Sequence, residues 1–273
     1  MSAILNRGGD DTPLYDAMAA SYDYSIEQPS ARRAYDRLCQ DYVRALGLGP
    51  GVRVVDVGCG TGRWAEWLLA QGCTVTGIER APGMVATLRS RALGPDFRLL
   101  EQAMEDAAIA PGSVDLVLAI GSLQYAVDPA AMLRRMAAWA CPGGTVAVLV
   151  DSLVALVVEL LRDGREAEAA ERLATRRGLF RFGDHAAPLH LYDCASLERD
   201  MAAAGLAELR FHGLAAGATA IGRPALGRRM REDEAATLAA ERALADHPAM
   251  ADCGLHLLGI GRVPAVPRPV PAP

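Results

Sequence analysis

Asp56 stands two residues before the first of three alternate glycines in the run Val54-Val55-Asp56-Val57-Gly58-Cys59-Gly60-Thr61-Gly62. Glycines at this spacing let a backbone turn tightly and press against a nucleotide-like ligand between a strand and a helix. The pattern D-x-G-x-G-x-G differs from the G-x-G-x-x-G of dinucleotide sites, whose helix dipole faces a pyrophosphate. A carboxylate at position 56 repels a pyrophosphate but accepts hydrogen bonds from a ligand ammonium, directly or through water. Glu79 ends the next apolar run, Cys73 to Ile78. An acid at that strand tip, roughly 20 residues past the glycines, binds the two hydroxyls of a ribose. Further along, Tyr125, His185, His190 and Tyr192 are the side chains suited to moving a proton. A histidine titrating near neutrality deprotonates a phenol, hydroxyl or ammonium, and His190 is the expected base, with Tyr125 beside the reacting group. The plain alternative for each histidine is a surface or packing role.

These residues need a scaffold that brings them together. From Val52 onward, apolar runs alternate with helical patterns. Strands are expected over 52–57, 74–78, 97–102, 114–119 and 145–151, and helices over 63–71, 82–92 and 129–140. Cys141-Pro142-Gly143-Gly144 is expected as the turn into the fifth strand. Such alternation builds a parallel sheet with helices on both faces. Right-handed crossovers place every loop that follows a strand on one edge, where α/β sheets bind ligands. Asp56, Glu79, Met104 and Gly121 all fall there. Past the fifth strand the pattern predicts an apolar helix over 153–161, a charged helix over 162–177 and an irregular stretch over 178–191. A helix over 196–204, with Asp193 or Ser196 as N-cap, a strand over 206–214, a helix over 232–244 and a strand over 255–263 complete the chain. Upstream, a helix over 31–46 is expected, and Tyr15 and Tyr22 are seven apart, on one helical face.

With 273 residues, 51% of them hydrophobic, the chain suits one large α/β domain with an inserted or appended subdomain. A net charge of −5 and no concentrated basic patch argue against a nucleic-acid partner. All 28 basic residues are arginine, a pattern of GC-rich coding rather than of function. Six cysteines without a CxxC pair read as reduced intracellular thiols, and no metal site is expected. The longest apolar run, 145–161, carries Asp151 and Glu159 and is too short and charged for a membrane span. No signal-peptide pattern leads the chain. A soluble cytoplasmic protein without membrane partner, monomer or homodimer, is expected. Residues 1–12 and the proline-rich tail 264–273 are expected to be disordered.

Over roughly residues 50–150, the glycine run, Glu79 and the features after them resemble the class I S-adenosylmethionine (SAM) dependent methyltransferases. The resemblance implies a Rossmann-like, doubly wound, seven-stranded and mostly parallel α/β sheet whose last two strands form a hairpin-like end, the seventh antiparallel. It implies an N-terminal helical lid over 1–48, a SAM-binding core over 49–151, a cap inserted over 152–191 and the rest of the core over 192–263. Asp56 with Gly58, Cys59, Gly60 and Gly62 would then surround the methionine amino and carboxylate groups, and Glu79 the ribose. Arg80 and Met84 would flank the adenine, Met84 as an adaptable apolar surface. Ile120, Gly121 and Ser122 would line the reactive end. Tyr15 and Tyr22 would belong to the lid, with Arg32 or Arg33 as candidates for the cofactor carboxylate. The family often has an acid after the third strand that accepts from the adenine amine. Here that position is Ala103, and Glu105, with the backbone of Met104, is expected in its place. Core packing is the bland reading of Met84, Met104 and the two tyrosines. The implied activity is methyl transfer to N or O, less readily C, of a small molecule such as an amino-acid derivative, sugar, phenol or polyketide, in specialised biosynthesis. The alternatives are a SAM-binding enzyme of this fold that cyclises or decarboxylates, a dinucleotide-binding domain, or a non-enzymatic interaction subunit.

Overall fold

A computed structural model describes residues 11–265. Of the two stretches expected to be disordered, Asp11 caps and Thr12 begins a helix, Pro264 and Ala265 are irregular, and the remainder lies outside the described residues. The chain enters through α1 (Thr12–Met18), α2 (Tyr22–Glu27) and α3 (Ala31–Arg44), the last started by Ser30, whose hydroxyl accepts from the Arg33 amide. Then come β1 (Arg53–Val57), α4 (Arg63–Ala70), β2 (Thr74–Glu79), α5 (Pro82–Ser90), β3 (Phe97–Glu101), β4 (Val114–Ile120), α6 (Pro129–Trp139) and β5 (Ala140–Asp151). After them run α7 (Leu153–Arg162), α8 (Glu166–Thr175), β6 (Arg177–Phe182), β7 (His185–His190), α9 (Cys194–Ala203) and β8 (Ala207–Leu214). Last are α10 (Ala216–Ile221), α11 (Arg223–Glu232), α12 (Glu234–Ala245) and β9 (His256–Arg262).

Seven strands form the main sheet in the order β3-β2-β1-β4-β5-β9-β8, parallel as far as β5, with β9 antiparallel to both neighbours. This is the doubly wound, mostly parallel α/β sheet expected. Alternate residues of the central strands feed two cores, because successive side chains of a strand point to opposite faces. Val55, Val57, Val117 and Val148 pack with Met132 and Met136 of α6 and Leu197 of α9. Val54, Leu118 and Leu149 pack with Leu38 of α3 and Trp64 and Leu68 of α4. Covered on both sides, these strands show no polar alternation. Among the described residues, no helix is long and apolar enough to cross a membrane.

Several local expectations are corrected. The stretch 178–191 is not irregular: β6 and β7 form a hairpin around a two-residue Gly183-Asp184 loop, with Gly183 at φ +56 as such loops require. Its alternation is faint because the outward Ala186 and Pro188 of β7 are as apolar as the inward Ala187 and Leu189. Cys141 to Gly144 lie within β5, where the register shifts against β4 as in a bulge, rather than in a free turn. Two further helices, α10 and α11, precede the expected one, their periodicity interrupted by Gly217, Gly222 and Gly227. Asp193 is the N-cap of α9, and Ser196 is its capping-box partner.

The sheet edge that matters carries the ends of β1, β2, β4 and β5. Because β9 runs antiparallel, its start lies on that same edge, and His256 pairs directly with Asp151.

Candidate active site

Two connected cavities open at this edge. The larger, of about 500 Å³, extends from the glycine loop to Asp151 and His256. The smaller, of about 60 Å³, lies at Glu79, Arg80, Met84, Met104 and Glu105. They share Tyr15, Tyr22, Gly58, Gly60, Ile120, Gly121 and Tyr125.

The glycine loop is made of left-handed backbone, with Gly58 at φ +70, Gly60 at +55 and Gly62 at +81. The Gly58 and Cys59 amides both donate to the Ile78 carbonyl, at 2.8 and 3.0 Å, which ties the loop to β2. A Cβ on Gly58 would stand 2.5 Å from the Ser122 Cβ, so a side chain there displaces the end of β4. The Gly60 amide donates to Glu79 Oε2 at 2.9 Å, and the Arg80 and Ala81 amides donate to Oε1 at 2.8 and 2.7 Å. Three backbone donors thus aim one carboxylate, which keeps lone pairs for a ligand hydroxyl. Burial nevertheless pushes the Glu79 carboxyl up from its ordinary range.

Asp56 is 2% exposed, and its Oδ2 has no hydrogen-bond partner. Burial first, and the charge of Glu79 second, push its carboxyl up to about 7. A buried carboxylate oxygen without a donor is costly, and an ammonium group in the cavity would satisfy it.

The N-terminal helices lie over this half. Tyr15 meets Tyr125 edge-on at 5.5 Å between ring centres and Tyr22 at 6.4 Å. Leu14 and Met18 pack with Met84, Tyr125 and Leu189. Asp16 accepts from the Gly83 amide at 2.7 Å, where α5 begins. Asp23 accepts from the Thr61 hydroxyl at 2.6 Å and pairs with Arg91. Arg80 lines the smaller cavity and pairs with Asp11. Met84, 1% exposed, belongs both to that cavity wall and to the packed core, so its two readings are compatible. Glu105 lines the cavity with one oxygen taken by the Val127 amide at 3.0 Å, and Gln102, missed from sequence, joins it. Ile120 and Gly121 line both cavities, and buried Cys59 the larger. Gly62 lines neither; it caps α4, where a Cβ would meet Leu88 Cγ at 2.9 Å, so its role is in the turn. Arg33 is committed to Glu234 at 2.8 and 3.0 Å, which leaves Arg32 as the arginine of that pair in the larger cavity.

The other half corrects the choice of base. His190 lines neither cavity: its Nε2 lies 2.6 Å from Arg177 Nη1 at the base of the β6–β7 hairpin. Burial and the Arg177 charge push the imidazole down to about 4. His185 is exposed beside the hairpin tip, and Tyr192 is buried against the sheet. Tyr125 does reach the site, and burial pushes its phenol up. The histidine in the cavity is His256. Its Nδ1 is 3.3 Å from Asp151 Oδ1, though without the alignment of a hydrogen bond, and its ring centre is 4.0 Å from that of Tyr35. Gln124 Nε2 donates to Asp151 Oδ2 at 2.7 Å. Burial pushes Asp151 up to about 6 and His256 down to about 3. The end of a parallel strand was a visible signal for Asp151; His256 needed the direction of β9.

A family model described as a methyltransferase domain matches residues 54–144. The ubiquinone biosynthesis O-methyltransferase of Xanthomonas campestris pv. campestris is 41% identical over 111 residues, covering 39% of this chain and 46% of that protein. The chain thus spans about half the length of the curated relatives it matches. Phosphoethanolamine N-methyltransferase 2 of Haemonchus contortus, solved with S-adenosyl-L-methionine, superposes with TM-score 0.63 at 15% identity, over 97% of this chain and 61% of that one. The [4+2]-cyclase SpnF superposes with TM-score 0.59 at 20% identity, over 93% of this chain and 95% of that one. At these identities the superpositions show the fold. The matched segment contains Asp56, the glycine loop and Glu79, and residues 54–144 are thus similar to a methyltransferase domain.

Proposed function

We propose that the protein transfers a methyl group from SAM to an oxygen or nitrogen atom of a small molecule held in the larger cavity. The observation that carries this reading is the buried, donorless oxygen of Asp56 beside a Glu79 carboxylate aimed by three amides, both in one cleft. An amino group and a ribose satisfy those two acids at once, and SAM has both. Bound SAM supplies an electrophilic methyl on a sulfonium centre, which an acceptor displaces in line and which leaves a neutral thioether. With no anion to stabilise on the leaving group, the chain's contribution is placement and exclusion of water. Met84, Met104 and Ile120 offer an apolar surface for the adenine, and Glu105 its free oxygen. Tyr15, Tyr22 and Tyr125 close the cleft over the reacting atoms.

The name of the Xanthomonas relative supports oxygen as the acceptor. We assign the lid to residues through 48, the core to 49–151 and 192–263, and the cap to 152–191, which contains α7, α8 and the β6–β7 hairpin. The six free thiols suit the reducing cytoplasm. Calorimetric titration with SAM and with S-adenosylhomocysteine tests the reading, with binding of both expected. Absence of binding by either removes it. Binding with the methyl retained on SAM in every acceptor trial assigns the pocket instead to a cyclisation or decarboxylation.

A further inference from the structure

The end of the large cavity away from Glu79 is lined by two kinds of surface. Leu156 of α7 and Leu179, Phe180, Leu189 and Leu191 on and beside the β6–β7 hairpin are apolar. Asp151, His256 and Gln124 are polar and stand on or next to the rigid sheet. Asp151 and His256 sit directly opposite one another in the β5–β9 pair, so their side chains project from the same face. Gln124 holds the far oxygen of Asp151 and leaves the near one facing the imidazole. A carboxylate oriented from behind, with its near oxygen beside an imidazole, places two proton acceptors side by side at one end of the cavity.

We propose that Asp151 and His256 together accept the proton of a hydroxyl-bearing ring compound, a phenol or related enol, and that the methyl group goes to that oxygen. The inference rests on the methyltransferase reading above and deepens it. In the step, the acceptor O–H bond breaks and its proton passes to the Asp151–His256 pair. An oxygen lone pair forms the new C–O bond, and the electrons of the broken S–C bond stay on sulfur.

The surrounding charges favour oxygen over nitrogen. Arg32 and Tyr35 face the pair from α3, Arg223 from α11 and Glu159 from α7. Arg223 is matched by Glu159, at 2.8 and 2.9 Å. Arg32 has the hydroxyls of Tyr35 and Ser25 as partners, at 3.2 and 2.9 Å, and among the described residues no carboxylate pairs with it. A guanidinium within reach of the pair, whose charge also acts on Asp151, stabilises a developing phenolate and opposes an ammonium product. The apolar lining accommodates the ring. Above about pH 6 the carboxyl is ionised and the imidazole neutral, so the pair is free to take one proton; protonation below that value removes the base.

The test uses the full chain and the variants His256→Gln and Asp151→Asn. S-adenosylhomocysteine is titrated into each by calorimetry. Methyl-labelled SAM is then offered with phenol, 4-nitrophenol, catechol and 1-naphthol, and in parallel with aniline, 4-nitroaniline and 1-naphthylamine. We expect equal S-adenosylhomocysteine affinity in all three proteins and label in the phenols but not in the amines. We also expect kcat about a hundredfold lower in each variant, with the acid limb near pH 6 lost in Asp151→Asn. Failure of the wild type to bind S-adenosylhomocysteine overturns the methyltransferase reading itself. Binding with label in the amines, with label in no phenol, or with undiminished turnover in the variants overturns the present proposal alone.

Discussion

At Glu79 three amides aim one carboxylate, and the glycine loop that supplies one of them comes from a single stretch of chain. At His256 the cavity wall is assembled from side chains of α3, β5, α7, α11 and β9. In the first region the cavity-facing Glu79 carboxylate is held by backbone, which changes little when side chains change. In the second the cavity-facing groups are side chains carried on separate elements. Such a division lets one cofactor end serve many acceptors, since function lives in sites carried by a fold rather than in the fold itself.

The comparison breaks most visibly at Gly58. Gly58→Val forces a branched side chain into positive φ and onto Ser122, and should leave no detectable heat on titration with S-adenosylhomocysteine. Preserved binding would show that the loop does not carry recognition. Glu79→Ala strips three amides of their acceptor, so S-adenosylhomocysteine affinity should fall by about 1–3 kcal/mol and the thermal midpoint should drop with it.

Asp56→Asn sharpens the contrast, because function and stability should move in opposite directions. Affinity should weaken by about tenfold or more, the worth of a charge-assisted hydrogen bond. The Asp56 carboxyl is raised to about 7 in the fold, above its unfolded range near 4, so its favourable contribution is complete at acid pH and is lost as pH rises through 7. Removing the charge should therefore raise the thermal midpoint at pH 8, and an unchanged or lower midpoint there would contradict the buried-charge assignment. A related and smaller effect is in binding. Because the ligand ammonium needs the ionised carboxylate, wild-type affinity should rise by up to about tenfold from pH 6 to 8 and stay flat in Asp56→Asn. The smallest effect belongs to His190→Ala, which should leave turnover within about twofold, as expected for a side chain outside the cavity. A large loss there would return His190 to the mechanism.

Much of the cofactor end is legible in the chain's local patterns. Asp56, Gly58, Gly60 and Glu79 lie where the strand–turn–helix pattern puts them, and the tyrosines of the N-terminal helices do cover the cleft. Gly62 and Arg33 show the limit of that reading: one serves the turn and the other an ion pair, and spacing alone does not separate a ligand contact from a structural neighbour. The hairpin is hidden by apolar residues on its open side, and α10 and α11 by their glycines.

The sequence by itself determined the parts that depend on neighbours in the chain. These are the left-handed glycine turn after a buried strand, the acid at the next strand tip and the alternation that forces a parallel sheet with one ligand edge. Only the tertiary structure decided which histidine faces the cavity. His190 and His256 are equally suitable by type, and what distinguishes them is the register of β9 against β5. A slip of one residue in that antiparallel pair would turn His256 to the opposite face of the sheet and away from Asp151, and no local pattern encodes a long-range register.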